Sequence, residues 1–275
     1  MRRNIRAAIL ALGTIGLALA GATGTAGAQE RQSDDSFHWT GRAAEGQWLF
    51  VRNLNGNVRM EATSGSQIEV RAIKRWRRGD PDAVRIQVAR YGPGDRDVVV
   101  CALWGSESVC REDEYRNRGS GNRSRSNDVS VEFIVAVPRG LNLRSETVNG
   151  SVNITGATGQ VRANSVNGNI NATSTGGPVV ARAVNGNVHA TMGSARGTED
   201  LSYTSVNGNV LVEFSGDLDA ELEMSTVNGG FETNFPLALK GRINPRHIRA
   251  TLGSGGRQVK LSTVNGNVEL RRLRD

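Results

Sequence analysis

The sequence has few of the residues on which several fold classes depend. Among its 275 residues are only two cysteines and six prolines, and aromatic residues make up 5%. Two cysteines are too few for a disulfide-dense small domain, and the glycines lack the three-residue period of collagen. Apolar residues nevertheless make up 37% of the chain, so its composition is not that of a disordered protein.

Signals for catalysis are also missing from the sequence. The histidines are His38, His189 and His247, and no H-E-x-x-H zinc motif, G-x-S-x-G elbow or phosphate-binding glycine loop occurs. We therefore predict that the chain is not an enzyme and has no catalytic residues, no metal site and no cofactor. A Ser-His-Asp triad is an alternative, because triads assemble from residues that are distant in sequence.

Hydrolysis of a polysaccharide is a second catalytic alternative, since it needs two carboxyl groups that face one groove. The candidate acids in the repeats are Glu199, Asp200, Glu213, Asp217, Asp219, Glu221, Glu223, Glu232 and Glu269. Several of them alternate along strand-like segments, as in Asp217-Leu218-Asp219, which favours a solvated outer face over a catalytic pair. The glycine-rich calcium-binding pattern of β-rolls is absent.

The first 28 residues have the layout of a secretory signal peptide. Three arginines precede an apolar run over residues 7–20, and Ala26-Gly27-Ala28 provides a small-residue cleavage site. We predict export, a linker over residues 29–36 and no stable membrane span after cleavage; a membrane anchor is the alternative. Cleavage removes three arginines and no acid, so the formal charge falls from +7 to +4 and gives no support for nucleic-acid binding.

Export bears on the two cysteines, Cys101 and Cys110, which lie nine residues apart. In an oxidising compartment the simplest outcome is one disulfide that closes this short segment. A metal site is the less favoured alternative, because structural zinc sites usually need four ligands and no histidine lies nearby.

An internal repeat dominates the C-terminal half of the chain. The triplet Val-Asn-Gly occurs six times, with successive asparagines 18, 18, 22, 21 and 37 residues apart. The repeated corner residues are Asn149, Gly150, Asn167, Gly168, Asn185, Gly186, Asn207, Gly208, Asn228, Gly229, Asn265 and Gly266. A related triplet, Leu54-Asn55-Gly56, stands alone upstream, and the gap of 37 residues predicts a copy that has lost its triplet near Asn244-Pro245.

The residues that flank each triplet alternate in polarity, as in Val161-Arg162-Ala163-Asn164-Ser165, which predicts β-strands. Strands joined by Asn-Gly fit either an antiparallel meander or a β-solenoid with coils stacked about 4.8 Å apart. The same valine before each Asn-Gly favours the solenoid, because stacking places equivalent positions on one another. We predict that the corner asparagines form an inward-facing amide ladder and that the glycines supply positive φ.

The predicted fold class is all-β, with a β-solenoid of 18–22-residue Val-Asn-Gly repeats over residues 141–275 and an antiparallel β region over residues 37–140. All four tryptophans lie before residue 141, so we expect different cores in the two halves. Residues 111–128 are interpreted as a mobile arginine-rich loop, either solvated or in contact with anionic envelope polymers. Its arginines are Arg111, Arg116, Arg118, Arg123 and Arg125.

Several runs are similar to those of a known family. They are Val131-Glu132-Phe133, Val135-Ala136-Val137-Pro138-Arg139-Gly140, Thr147-Val148-Asn149-Gly150 and Leu261-Ser262-Thr263-Val264-Asn265-Gly266-Asn267-Val268. Through them the chain resembles the bacterial adhesin-like family of domain of unknown function 4097 (DUF4097) over about residues 37–273. The resemblance implies an exported protein built from repeated β-strands, and it supplies no catalytic residues.

Together these features predict an exported, non-catalytic structural or binding protein of the bacterial cell envelope. We expect it to be adhesin-like and to lie in the periplasm, at the cell surface or outside the cell. The expected partner is an envelope polysaccharide or another envelope protein, with no nucleic acid. The alternatives are a polysaccharide-active enzyme on a solenoid scaffold and a partner in envelope-stress signalling.

Overall fold

The computed structural model describes residues 36–118, 127–193, 198–240 and 244–273. All of these residues belong to one compact unit, which extends from Arg31 to Asp275. The predicted signal peptide and residues 29–35 of the predicted linker lie outside the described residues. So do Arg123 and Arg125 of the predicted loop.

The described residues form strands, apart from turns and a short 3₁₀ segment at Pro81–Ala83. The strands are β1 (Ser36–Gly41), β2 (Trp48–Asn55), β3 (Val58–Thr63), β4 (Ile68–Arg75), β5 (Val84–Tyr91), β6 (Asp97–Trp104), β7 (Val109–Cys110), β8 (Tyr115–Arg116), β9 (Ser130–Pro138), β10 (Asn142–Asn149), β11 (Val152–Ala157), β12 (Val161–Asn167), β13 (Ile170–Ser174), β14 (Val179–Asn185), β15 (Val188–Met192), β16 (Leu201–Thr204), β17 (Val210–Ser215), β18 (Ala220–Ser225), β19 (Phe231–Thr233), β20 (Ala238–Leu239), β21 (His247–Leu252), β22 (Gln258–Ser262) and β23 (Val268–Leu273). Within these ranges no helix is long and apolar enough to cross a membrane.

The strands form two large sheets and one small hairpin. Sheet A has the order β1-β4-β9-β3-β11-β13-β15-β17-β23-β19, and sheet B has the order β20-β21-β18-β22-β16-β14-β12-β10-β2-β6-β5. The hairpin pairs β7 with β8. The predicted all-β class is confirmed.

Each Val-Asn-Gly repeat forms one coil, in which a strand of sheet B passes through the Asn-Gly corner into a strand of sheet A. Successive coils pair in parallel: β10 with β12, β12 with β14, β11 with β13 and β13 with β15. In this register Asn149 lies beside Asn167, and Asn167 beside Asn185. Parallel pairing confirms the solenoid and excludes the meander, because consecutive hairpins would pair antiparallel.

The upstream triplet at Asn55 belongs to the same stack. Strand β2 pairs in parallel with β10, and β3 pairs in parallel with β11, so β2 and β3 form the first coil. Beyond this coil the pairing becomes partly antiparallel, with β1 on β4, β4 on β9 and β5 on β6. The antiparallel strands expected in the N-terminal half therefore lie at the first end of the stack.

The order of the last coils in space differs from their order along the chain. Strands β22 and β23 form the final coil in sequence, yet β22 lies between β16 and β18, and β23 lies between β17 and β19. The final coil is thus inserted between the two coils that precede it. Strand β21 pairs antiparallel with β18 on the outside of the stack, and β20 pairs antiparallel with β21.

This arrangement corrects the prediction of a coil without its triplet near Asn244-Pro245. Asn244 forms an antiparallel bridge with His247, at the start of β21, and does not join the asparagine corners. The last two triplets are 37 residues apart because the intervening chain first forms β21, which pairs with the outer edge of β18. The chain then returns to form β22 on the other side of β18.

The core lies between the two sheets, and alternate residues of each strand point into it. One continuous buried cluster extends from Leu49 in β2 to Leu270 in β23, so the expectation of two different cores is wrong. A second, smaller cluster lies on the outer face of sheet B and contains Phe50, Val99, Cys101, Leu103 and Cys110.

Candidate functional site

The asparagine corners form a continuous ladder of side-chain amides. Each Nδ2 donates to the Oδ1 of its neighbour over 2.7–2.8 Å, in the spatial order Asn55, Asn149, Asn167, Asn185, Asn207, Asn265 and Asn228. A second row runs beside it, in which the Oδ1 atoms of asparagines such as Asn169 and Asn187 accept backbone N–H groups of the next coil. The ladder therefore joins all seven coils along one edge.

The ladder faces solvent, which corrects the prediction that it points inward. The Asn167 side chain is exposed, whereas the hydroxyl residue two positions earlier, Ser165, is buried. The Ser165 hydroxyl donates to the carbonyl oxygen of Gly150 over 2.8 Å, and Thr263 donates in the same way to Gly208. In most coils a small hydroxyl residue at this inward corner position satisfies a carbonyl of the neighbouring coil; the exceptions are Ala183 and, in the first coil, Asn53.

The corner glycines are required mainly by the close approach of the previous coil. A Cβ atom at Gly168 would lie 2.1 Å from the carbonyl oxygen of Gly150, and one at Gly186 would lie 2.2 Å from that of Gly168. Positive φ, the predicted reason, applies at the corners only to Gly56, Gly208 and Gly266. Substitution of a corner glycine therefore collides with backbone that cannot move aside.

A row of valines lies next to the ladder on the outside of the corner. Its exposed members are Val166, Val184, Val206, Val227 and Val264, which are 37–50% exposed. Stacking of these β-branched side chains on adjacent coils fits the extended backbone that leads into each corner. The row explains why the repeat requires valine at a position that is not in the core.

The outer face of sheet B carries a cluster of aromatic and arginine side chains at its first end. Trp48 and Phe50 of β2 point outward, with ring centroids 5.9 Å apart. The guanidinium of Arg162 lies 5.0 Å from the centre of the Trp48 ring, and that of Arg144 lies 5.9 Å from the centre of the Phe50 ring. Such stacking uses the flat face of the guanidinium and leaves its in-plane N–H donors for other partners.

Two of the three arginines in this cluster share one carboxylate. Arg52 Nε lies 3.0 Å from Glu146 Oε2, and Arg144 Nε donates to Glu146 Oε1 over 2.7 Å. Arg162 differs, since it is exposed and no carboxylate of the described residues forms an ion pair with it. Its charge is therefore available to a ligand.

A disulfide-bonded loop covers the edge of this cluster. Cys101 of β6 and Cys110 of β7 are joined, with their Cα atoms 6.1 Å apart. Tyr91 donates its hydroxyl to the Cys110 carbonyl and Tyr115 donates to the Ala102 carbonyl, each over 2.8 Å. Burial raises the pKa of Tyr115, so this hydroxyl stays protonated and remains a donor.

The same loop begins the predicted arginine-rich segment, and its first part is held in place. Tyr115–Arg116 forms β8 against β7. The guanidinium of the buried Arg52 donates to the carbonyl oxygens of Arg111 and Glu112. These contacts fix the chain at Glu112 and Asp113 above the outer face of sheet B.

The loop and the sheet enclose a cavity of about 300 Å³, which we call the outer-face pocket. It is lined by Trp48, Phe50, Glu112, Asp113, Arg144 and Arg162. The two acidic side chains form no ion pair with a described cation. The pocket thus combines two aromatic side chains with charged groups of both signs, three of which have no ion-pair partner among the described residues.

A second cavity lies on the outer face of sheet A, where β1, β4 and β9 meet. It has a volume of about 420 Å³, and its lining includes His38, Glu69 and Arg71. No Phe, Tyr or Trp side chain lines it, so it offers less surface for stacking than the outer-face pocket. His38 is far from the other two histidines in the sheets, since it lies on the edge strand β1.

The other two histidines do not form a catalytic triad. His189 Nε2 lies 2.8 Å from Glu213 Oε2 and 3.5 Å from the Thr191 hydroxyl, which itself donates to Glu213. A triad needs the base to use one ring nitrogen for the nucleophile and the other for the acid, whereas both neighbours here lie at Nε2. His247 Nε2 lies 4.0 Å from Glu223 Oε1, but Ser225, which lies opposite His247 on the neighbouring strand, donates its hydroxyl to Ser262 instead of to the imidazole.

Most of the acids named as candidates for sugar hydrolysis have structural partners; Glu199 is the exception among the described residues. Lys240 binds Glu221 and holds its pKa below the usual range, whereas a general acid needs a raised pKa. Asp219 accepts the backbone N–H of Ser254, and Asp200 accepts that of Gln258. In the part of the chain that the structure describes, no group of three or more His, Cys, Asp or Glu side chains could hold a metal ion.

Comparison with known proteins assigns the family. The model of the Toastrack DUF4097 family matches residues 47–271, which include every coil of the stack. The chain belongs to the Toastrack DUF4097 family. This confirms the resemblance on which the sequence prediction of an adhesin-like β-repeat family rested.

Two solved structures resemble this Toastrack chain. One, from Clostridium sporogenes, is described as a "putative cell adhesion protein"; it is 9% identical, with 86% of this chain and 99% of that chain covered and a TM-score of 0.40. The other, from Bacteroides fragilis, is described as a "putative adhesin"; it is 10% identical, with 88% and 99% covered and a TM-score of 0.25. No curated protein matches the chain.

Sequence reasoning found the corners and the cysteines of this Toastrack protein but missed the outer-face pocket. The pocket draws on four segments, around Trp48, Glu112, Arg144 and Arg162, that are separated along the chain. One signal was available: Arg144 and Arg162 are 18 residues apart, which is the length of one repeat, so stacking places them side by side.

Proposed function

We propose that this Toastrack protein is an exported, non-catalytic binding protein of the bacterial cell envelope, adhesin-like in role. Its ligand is an envelope glycan, and the ligand binds at the outer-face pocket. The single observation that carries this proposal is a cavity lined by Trp48 and Phe50 in which Arg162, Glu112 and Asp113 have no ion-pair partner among the described residues. Aromatic surface with a few directed polar groups is the common composition of sites that bind sugars and other small ligands.

The rigidity of the scaffold supports a binding role. Arg144 and Arg162 project from adjacent strands of a parallel sheet, and the disulfide, Arg52 and two tyrosine hydroxyls hold the opposite wall. A site that is already in its binding geometry loses less entropy when the ligand binds.

Export is supported by the signal-peptide pattern of residues 1–28 and by the Cys101–Cys110 disulfide. Disulfides persist in oxidising compartments such as the periplasm and the outside of the cell, and are rare in the cytosol. A Toastrack protein with both features is expected in the envelope or beyond it.

The test is co-sedimentation of the protein with insoluble envelope material. The full chain is expressed with its own leader, recovered from the periplasm and mixed with purified peptidoglycan sacculi and with insoluble envelope polysaccharide. We expect retention on at least one of them, a loss of at least about tenfold in affinity for Arg162→Ala, and no release of new reducing ends.

Arg182→Ala is the matched control, because Arg182 is an exposed arginine on the next coil of the same sheet face and does not line the pocket. Recovery of the protein only in the cytosol would refute export. The binding proposal fails if no envelope material retains the protein, or if both arginine variants behave alike.

A further inference from the structure

The charges that line the outer-face pocket are balanced. Arg144 and Arg162 contribute two positive charges, and Glu112 and Asp113 contribute two negative charges. Behind them, Arg52 and Glu146 are bound to each other and add no net charge. The pocket is therefore neutral as a whole although each of its walls is charged.

This balance discriminates between classes of ligand. An anionic sugar that gains energy at the arginines must bring its charge close to Glu112 and Asp113, and a cationic ligand meets the reverse arrangement. Either ion also loses part of its hydration when it enters a partly enclosed cavity. A ligand without net charge avoids both costs.

Hydroxyl groups can bind both walls of the outer-face pocket, the acidic loop side and the basic sheet side. A hydroxyl both donates and accepts, so one sugar ring can donate to a carboxylate on the loop side and accept from a guanidinium on the sheet side. Hydrogen bonds to charged groups are stronger than those between neutral groups. The apolar C–H surface of the same ring can pack against the half-buried Trp48.

We infer that the outer-face pocket of this Toastrack protein is a subsite for a sugar residue that is rich in hydroxyl groups and carries no net charge. This inference rests on the proposed function, that the pocket binds an envelope glycan, and it names the ligand class. It differs from electrostatic attraction of an acidic polymer, which the arginine content of residues 111–128 alone would favour.

The test compares two probes that share one sugar. The neutral probe is chitotriose, a trimer of N-acetylglucosamine, and the acidic probe is a hyaluronan oligosaccharide of similar length, in which glucuronate alternates with N-acetylglucosamine. Two further neutral trisaccharides, cellotriose and mannotriose, test whether the pocket prefers another arrangement of hydroxyl groups on the sugar ring. Binding is measured by calorimetry on the periplasmic protein at about 0.05 M and about 0.5 M NaCl.

We expect at least one neutral trisaccharide to bind, with an affinity that changes less than about twofold between the two salt concentrations. The acidic probe should bind at least about tenfold more weakly. Arg162→Ala should weaken neutral binding by at least about tenfold, and Arg182→Ala should leave it unchanged.

A charge variant provides the reciprocal test. Glu112→Gln combined with Asp113→Asn keeps the shape of the loop wall, leaves Arg162 without an opposing carboxylate, and leaves Arg144 paired only with Glu146. We expect this variant to gain at least about tenfold for the acidic probe, and this gain should disappear at high salt.

Tighter binding of the acidic probe by the unaltered protein, or no binding of any neutral trisaccharide, would overturn the inference. The proposed function is tested separately. If envelope material retains the protein through Arg162 but no neutral probe binds, the proposed function is supported and the inferred ligand class is wrong. If the protein binds neither envelope material nor a neutral probe, both the proposed function and the inferred ligand class are wrong.

Discussion

The central coils and the first end of the stack are both built from β-strands, but they differ in how far their residue environments repeat. In the central coils, from β10 to β17, each position has the same environment as its equivalents one coil away, so identical residues recur at the corner. At the first end, β5, β6 and the disulfide loop have no equivalent among the other described coils, and the outer-face pocket lies there. Repetition builds the scaffold, and the departure from repetition creates an asymmetric site.

The largest expected effect comes from breaking the other end of the stack. Deletion of residues 258–275 removes β22 and β23, which lie between coils on both sides. We expect loss of cooperative unfolding, because β18 and β19 lose their parallel neighbours and the core around Met224 opens. Circular dichroism during thermal unfolding measures this; a deletion protein that melts like the full chain would show that the insertion is dispensable.

A substitution at one corner tests whether close backbone approach limits the central coils. Gly168→Ala places a Cβ against the Gly150 carbonyl oxygen and should lower the free energy of unfolding by about 3 kcal/mol. Gly230→Ala is the control, since its nearest neighbour would be 3.8 Å away, and it should change stability by less than about 0.5 kcal/mol. Chemical denaturation of both variants decides the point, and equal midpoints would contradict it.

The disulfide distinguishes the first end from the repeats. Replacement of Cys101 and Cys110 by alanine should cost about 2–3 kcal/mol, because the unfolded chain is no longer closed over a nine-residue separation. Hydrogen exchange should show the loss mainly in β6 to β8, with the central coils protected as before. Free thiols in periplasmic protein, detected by mass spectrometry after alkylation, would argue against the bond itself.

The smallest effect is expected from a single member of the ladder. Asn185 donates to Asn167 and accepts from Asn207, so Asn185→Ala removes two exposed hydrogen bonds and should cost about 1 kcal/mol. Arg182→Ala, on the same strand, should change stability by less than about 0.5 kcal/mol. Indistinguishable melting temperatures for the two variants would mean that the ladder adds nothing to stability.

The repeat was sufficient to predict the solenoid, since stacking is what demands the same residue at Val148, Val166 and Val184. It also implied a ladder, but not its direction. The inward position in the repeats holds a small residue such as Ser165 or Thr263, whose hydroxyl binds a carbonyl of the neighbouring coil, whereas in the first coil the buried Asn53 occupies it. The triplet itself does not specify which of these residues turns inward.

The spatial order of the coils and the position of the pocket could not be predicted from the sequence. Equivalent corners carry no information about their order, so nothing in the triplet at Asn265 places it between Asn207 and Asn228. The isolated triplet at Asn55 likewise contains no signal that β10 would return to it across the intervening strands. The pocket was missed because loop residues Glu112 and Asp113 meet the sheet only after the chain folds back.

The inserted coil also determines how the protein responds to force. A tether at Leu273 pulls on a layer inside the stack, and that layer has a hydrogen-bonded neighbour on each side, β17 and β19 in sheet A. It cannot peel away from a free edge one bond at a time, as an outermost strand would. A load at this point is shared by two rows of backbone hydrogen bonds, and this arrangement fits the adhesive role proposed above.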